Sequence, residues 1–218
     1  VWDGLAAAQA AGHREFKLHV ERNAGPDRVQ RVIDTVREAR EIVGPGVPLM
    51  VDAWMKWDLE TTLAVAEGVE GLGVEWIEEP LPVHDIDGYR TLSRESAIPI
   101  AGGEHEYTAR AFQHLIDERL HQVLQPDVCW CGGLTELVKI YRMAHGTGIR
   151  VCPHRGSEIW SLHALAGLDP DPLPESGRPW MTWVGGQPPI VNGMVTLGDL
   201  TGLGVENDET ALPGLDRG

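Results

Sequence analysis

From residue 14 to about residue 167 the chain alternates between two hydrophobic patterns. Short apolar runs end abruptly at polar residues. Longer stretches follow with apolar residues at helical spacing. The short runs predict strands over Arg14–Val20, Val47–Asp52, Val74–Glu79, Pro99–Gly103, His121–Leu124 and Ile149–Cys152. The helical spacing predicts helices over Asp27–Val43, from Asp58 to about Val69, over Asp85–Glu95, from Thr108 through Ile116, from Gly133 through Tyr141, and over Glu158–Gly167. Asp58 and Thr108 are candidate N-caps. Gly44-Pro45-Gly46, Gly71 with Gly73, and Gly146 with Gly148 are the stops. Steady alternation of strand and helix predicts a parallel sheet with helices outside it.

Such a sheet is either closed as a barrel or open and doubly wound. Polar residues end every predicted strand, from Lys17 and His19 to His154. A barrel gathers all its strand ends on one active face. An open sheet concentrates its chemistry at one switch point. The even distribution favours the barrel. The chain opens on a helical stretch, Trp2–Ala11, with no strand before it. An α/β barrel should not begin that way, so the chain reads as part of a longer protein. The expected organisation is one barrel domain over 1–189, incomplete at its start. A covering segment of the same domain follows over 190–218, with a turn at Asn192-Gly193.

Three strand ends carry acids: Asp52, Glu78 and Glu104, at equal intervals of 26 residues. One strand, one helix and two loops fill about that length in a βαβ unit of roughly 30 residues. The three acids therefore fall at one level on three consecutive strands about 4.8 Å apart. Unpaired, they would repel and resist ionising. A hard divalent cation held by oxygen ligands removes that conflict.

A second pair follows. Asp127 closes one strand and His154 the next, 27 residues on. A carboxylate behind an imidazole fixes its tautomer and raises its pKa, which makes a general base. His105, beside Glu104, either touches the substrate or orients Glu104. Alternation puts Lys17 and His19 on one face of the first strand. Lys17 reads as a substrate contact. His19 reads as a second acid/base, a substrate contact or a polar rim residue. Trp130 is expected in core or rim packing.

The formal charge of −15 argues against nucleic acid and against an anionic membrane surface. It leaves an anionic substrate open, because a metal and local cations decide the field inside a site. No segment approaches the ~20 apolar residues of a membrane span. Cys129, Cys131 and Cys152 have no zinc-type spacing and read as buried free thiols of a cytoplasmic protein.

The residues also carry a resemblance. VDAWMKWDL around Asp52, EWIEEPLP around Glu78, GGEHEYTARAF around Glu104, QPDVCWCGGLTELVKI around Asp127, VCPHRGS around His154 and the tail GQPPIVNGMVTLGDLTGLGVEND are the motifs concerned. They resemble the enolase superfamily in its mandelate racemase-like branch, and within it the L-rhamnonate dehydratase-type sugar-acid dehydratases. The resemblance implies a modified TIM-type (β/α)7β barrel, truncated here, with an N-terminal capping domain and the first barrel strand outside this chain. It implies Mg²⁺ on Asp52, Glu78 and Glu104, binding the substrate carboxylate and stabilising the enediolate left by α-proton removal. It makes His154, oriented by Asp127, the base that then protonates a departing 3-hydroxyl. It suggests Glu175 as an acid hydrogen-bonded to the carboxylate. Relatives carry Lys-x-Lys on the second strand; here Lys17-Leu18-His19 stands, so a second base is His19 or none. The expected activity is dehydration of an aldonate to a 2-keto-3-deoxy acid, in a homo-oligomer. The alternatives are an epimerase or racemase of a hydroxy acid, or a non-catalytic barrel subunit.

Overall fold

The computed structural model describes residues 2–20, 25–155, 158–178, 181–199, 201–208 and 210. Six strands lie parallel in one sheet, in sequence order: β1 (Phe16–His19), β2 (Leu49–Asp52), β3 (Val74–Glu78), β4 (Ile100–Gly102), β5 (Val123–Leu124) and β6 (Arg150–Val151). Helix α1 (Trp2–Ala10) precedes them. Each strand-to-strand crossover carries one helix: α2 (Arg28–Val43), α3 (Leu59–Gly68), α4 (Ile86–Glu95), α5 (Thr108–Asp117) and α6 (Leu134–Ala144). Helix α7 (Glu158–Leu168) follows β6.

Both faces of β2, β4 and β5 are buried throughout, as in a parallel sheet covered on both sides. Leu49, Val51, Ile77, Ile100, Leu124 and Val151 point outward. They share one core with Val32 and Val36 of α2, Val65 of α3, Phe112 of α5 and Leu137 of α6. The alternate residues point inward. Met50, Trp76, Ala101, Val123 and Cys152 form a separate small cluster closed by Leu173. That cluster is the apolar floor on which the polar strand ends stand.

The sheet is curved. Side chains of β1 reach the segment after β6: Lys17 Nζ lies 2.8 Å from Glu175 Oε1, and Arg155 Nη1 lies 3.1 Å from His19 Nε2. Among the described residues no strand pairs β6 with β1. The polar contacts across that gap bring the two edges together; the described residues form a six-stranded curved sheet and not a closed hydrogen-bonded barrel.

The covering segment supplies β8 (Ile190–Val191) and β9 (Met194–Val195), an antiparallel hairpin. Its turn is Asn192-Gly193, both at positive φ, as a tight hairpin turn requires. Earlier in the chain, β7 (Val184–Gly185) pairs antiparallel with β10 (Glu206–Asn207). The turn presses on Gly12: a Cβ at Gly193 would sit 2.4 Å from the Gly12 carbonyl oxygen. Residues 211–218 of the covering segment lie outside the described residues.

Two expectations are corrected. Thr108 does not cap α5. It has φ +68°, and its N–H donates to the Cys131 carbonyl. The cap comes from the neighbouring helix, where Glu136 Oε2 accepts from the Ala109 N–H at 2.7 Å. Glu136→Ala should therefore destabilise the domain by about 1 kcal/mol, read by chemical denaturation. Cys129 is exposed, whereas Cys131 and Cys152 are buried free thiols. Both Cys129 and Cys131 sit in the turn after β5, and only Cys131 faces inward. Asp58 does cap, accepting from the Thr61 N–H, and Asp85, not singled out as a cap, also accepts from the Gly88 N–H.

Candidate active site

Parallel pairing puts His19 opposite Asp52 and Asp52 opposite Glu78. Their side chains therefore leave the sheet at one level. Asp52 Oδ1 accepts from the Trp54 N–H at 3.0 Å, and Oδ2 faces His19 Nδ1 at 3.0 Å. Glu78 is 1% exposed. Its Oε1 takes the Lys17 ammonium at 2.5 Å, and its Oε2 accepts from Gln125 Nε2 at 2.7 Å. Lys17 Nζ also lies 3.4 Å from Asp52 Oδ2. One lysine thus stands among Asp52, Glu78 and Glu175.

Glu104 is turned to the other half of the mouth. The chain leaves β4 through Gly103 at φ +125°, a conformation that favours glycine. A Cβ there would meet Phe112 Cε1 at 2.8 Å. Gly103→Ala should therefore strain the backbone and displace Glu104, lowering stability by about 1 kcal/mol or more, seen as a fall in the denaturation midpoint. Glu104 Oε2 lies 3.1 Å from His154 Nε2. His154 Nδ1 lies 2.8 Å from Asp127 Oδ2, whose other oxygen accepts from the Cys129 N–H at 2.8 Å. Asp127 is thereby held at both ends. Glu175 Oε2 accepts from the Arg155 N–H at 3.0 Å.

The structure thus brings every residue singled out above to the carboxyl ends of the strands. They form two groups: Lys17, His19, Asp52, Glu78 and Glu175 in one, and Glu104, His105, Asp127 and His154 in the other. Three participants were not singled out as site residues. Gln125 directly follows β5, and Arg155 directly follows His154 in the loop after β6; those positions were their signal. Glu79, at φ +38° and buried, accepts from or donates to His105 Nδ1 at 2.8 and 3.0 Å, according to which group carries the proton. Trp130 stands on the rim, 51% exposed, stacked on Tyr107 and edge-on to His105.

Charge explains the proton affinities. Burial works against the Lys17 ammonium, but Glu78, Glu175 and Asp52 outweigh it and raise its pKa. One ammonium cannot neutralise three acids. Burial accordingly pushes Glu78 up, opposed by Lys17 and reinforced by Asp52 and Glu175. Glu175 is held below the ordinary carboxylate range, because Lys17 and His154 overcome its burial. Burial would lower the His154 imidazole, but the Asp127 hydrogen bond and the charge of Glu104 outweigh it, so His154 is raised. A group raised on folding contributes stability that is full below the unfolded pKa, near 6.5 for histidine, and lost as pH rises through the folded one. The NMR titration of His154 in EDTA should show this raised value, and Asp127→Asn should lower it.

Two groups of donors invite a cation, and Glu104 belongs to both. Glu79, Glu104 and His105 already have ligand atoms within 4.8 Å of one another. Asp52 and Glu78 converge on Lys17, with Glu104 across the mouth. The first group includes an imidazole, a donor suited to transition metals. It is also internally satisfied by the Glu79–His105 pair. The second is all carboxylate oxygen, the donor set of a hard ion such as Mg²⁺.

Comparison with known proteins places the chain in a family. Residues 3–211 match the family model described as enolase C-terminal domain-like. The chain belongs to the enolase superfamily. Its relatives place this enolase-type domain in the mandelate racemase-like branch. It is 31% identical over 224 residues to D-galactarolactone cycloisomerase from Agrobacterium fabrum, covering 95% of this chain and 58% of that protein. It is 37% identical over 153 residues to L-rhamnonate dehydratase from Saccharopolyspora erythraea, covering 69% of this chain and 39% of that one. The structure of L-talarate dehydratase from Polaromonas sp. JS666, complexed with Mg and L-glucarate, superposes with a TM-score of 0.85 at 28% identity, over 96% of this chain and 58% of that one. The enolase-type domain therefore spans well under two thirds of these relatives' length. Among its described residues no helix is long and apolar enough to cross a membrane.

Proposed function

We propose that this domain carries the chemistry of a Mg²⁺-dependent acid-sugar dehydratase, acting on an aldonate such as rhamnonate. In the whole protein its curved sheet would form part of a (β/α)7β barrel. The observation that carries this reading is the His154–Asp127 pair. With Nδ1 on Asp127 at 2.8 Å, the imidazole turns Nε2 into the mouth beside Glu104. That is the posture of a general base, tautomer fixed from behind.

Asp52, Glu78 and Glu104 would hold Mg²⁺. Bound there, the ion would supply positive charge to the substrate carboxylate as its α-proton leaves, the step a side-chain base cannot drive alone. His154 Nε2 takes the α-proton from C2. The same imidazole, now protonated, gives a proton to the hydroxyl leaving C3. The enol that remains becomes a 2-keto-3-deoxy acid, so one water is lost and no redox partner is needed. Lys17, between Glu78 and Glu175, would meet the carboxylate. The floor of Met50, Trp76, Ala101, Val123 and Cys152 excludes water from below.

One observation favours a second reading, epimerisation. His19 Nδ1 lies 3.0 Å from Asp52, an imidazole–carboxylate pair like His154–Asp127. Against it, Arg155 Nη1 stands 3.1 Å from His19 Nε2, on the nitrogen a second base would use. His19→Gln should therefore raise KM or slow turnover modestly and leave α-proton exchange at His154 in place. Loss of exchange for one epimer only would make His19 a base and replace dehydration by epimerisation. The function itself is tested by incubating the full-length protein and Mg²⁺ with a panel of acid sugars. Formation of a 2-keto product supports dehydration. Exchange in D₂O without keto acid supports the epimerase.

A further inference from the structure

We infer that Lys17 is a built-in counter-ion of the strand-end carboxylates that competes with the divalent cation for Glu78 and Asp52, and so sets how tightly the domain takes up metal. This rests on the assignment of Mg²⁺ to Asp52, Glu78 and Glu104.

The geometry is specific. The Lys17 side chain is only 11% exposed, and its Nζ lies 2.5 Å from Glu78 Oε1, 2.8 Å from Glu175 Oε1 and 3.4 Å from Asp52 Oδ2. An ammonium has three donors and no acceptor, and here it has three carboxylates to serve. Buried acids at this spacing, left alone, would repel one another and lose their charge. Lys17 lets them share one site in a folded chain. The same position makes it a competitor. A cation taking oxygens of Glu78 and Asp52 draws on the oxygens that Lys17 holds, and meets its positive charge at short range.

Glu175 gives the lysine somewhere to go. It is not among the proposed metal ligands, and it comes from the irregular segment after α7. Its second oxygen is fixed by the Arg155 N–H. A four-carbon side chain can keep its contact with Glu175 while yielding Glu78. The pair Glu78 and Glu175 thus forms two stations for one ammonium, and the metal decides between them.

The test uses the full-length protein. Calorimetric titration with Mg²⁺ should show the Lys17→Met variant binding at least tenfold more tightly than the parent. In EDTA the variant should melt at a lower temperature, and Mg²⁺ should raise its melting temperature by more than it raises the parent's. Equal or weaker Mg²⁺ affinity in Lys17→Met overturns the inference while leaving the metal site standing. Failure of both proteins to bind Mg²⁺ overturns the metal assignment and this inference together. Should Lys17→Met not fold, the parent protein still decides the matter. The ¹⁵N resonance of the Lys17 ammonium, assigned with Lys17→Arg, should move along with Mg²⁺ occupancy. A signal unchanged at saturating Mg²⁺ would show that the lysine does not yield.

Discussion

His154→Asn, made in the full-length protein, is expected to abolish both keto-acid formation and α-proton exchange while leaving Mg²⁺ affinity within a few-fold of the parent. The side chain is removed from the base position only. His154 is not a proposed ligand, and its ring nitrogens face Asp127 and Glu104. Asp127→Asn is the companion change. It keeps the shape of the partner but removes the charge that holds Nδ1–H, so the imidazole is free to adopt the wrong tautomer. In a serine protease the equivalent change costs about 10⁴-fold in rate, and a loss of that order is expected here. Wild-type turnover in His154→Asn would remove the proposed base, and with it the mechanism.

Glu78→Gln is expected to lower Mg²⁺ affinity by more than 100-fold, since even partners behind the ligands typically contribute 10–100-fold. Turnover should fall with it. Glu78 is the most enclosed of the three acids, and both its oxygens are already engaged, by Lys17 and Gln125. Glutamine keeps the length and a hydrogen-bonding oxygen, so the loss reports the charge rather than a cavity. His105→Gln supplies the contrast. His105 belongs to the Glu79–Glu104–His105 group and not to the strand-end acids. It should leave Mg²⁺ affinity nearly unchanged. The reverse ranking in a calorimetric titration would move the metal to the Glu79–Glu104–His105 group.

Part of this arrangement is legible in the sequence. Asp52 and Glu78 each follow a run of apolar residues, and such a boundary is where a buried strand meets its loop. Equal intervals then follow from the repeating length of a strand–helix unit, and the register of β2 on β3 puts the two acids side by side. Strand alternation likewise put Lys17 and His19 on the mouth-facing side. What alternation cannot carry is reach. That Lys17 extends to Glu175, 158 residues away in sequence, depends on the curvature of the whole sheet. So does the contact of Arg155 with His19. Gln125 was passed over because a neutral amide has no chemistry of its own; its role comes from Glu78 opposite. The cap of α5 failed for a related reason. Thr108 is the residue type that caps, but the free N–H is met by Glu136 from the next helix, which local sequence does not reveal. Cys129 and Cys131 differ by which side of one turn they occupy, and their spacing says nothing of that.

The central claim is that His154 removes the proton from C2 of a sugar acid and that water, not hydride, leaves. Substrate carrying deuterium at C2 tests it most directly, using the full-length protein with Mg²⁺ and whichever acid sugar it turns over. The account predicts slower turnover of the labelled substrate, release of the C2 deuterium to solvent, and a solvent-derived hydrogen at C3 of the 2-keto product. Retention of the C2 deuterium in the product at full rate would contradict it.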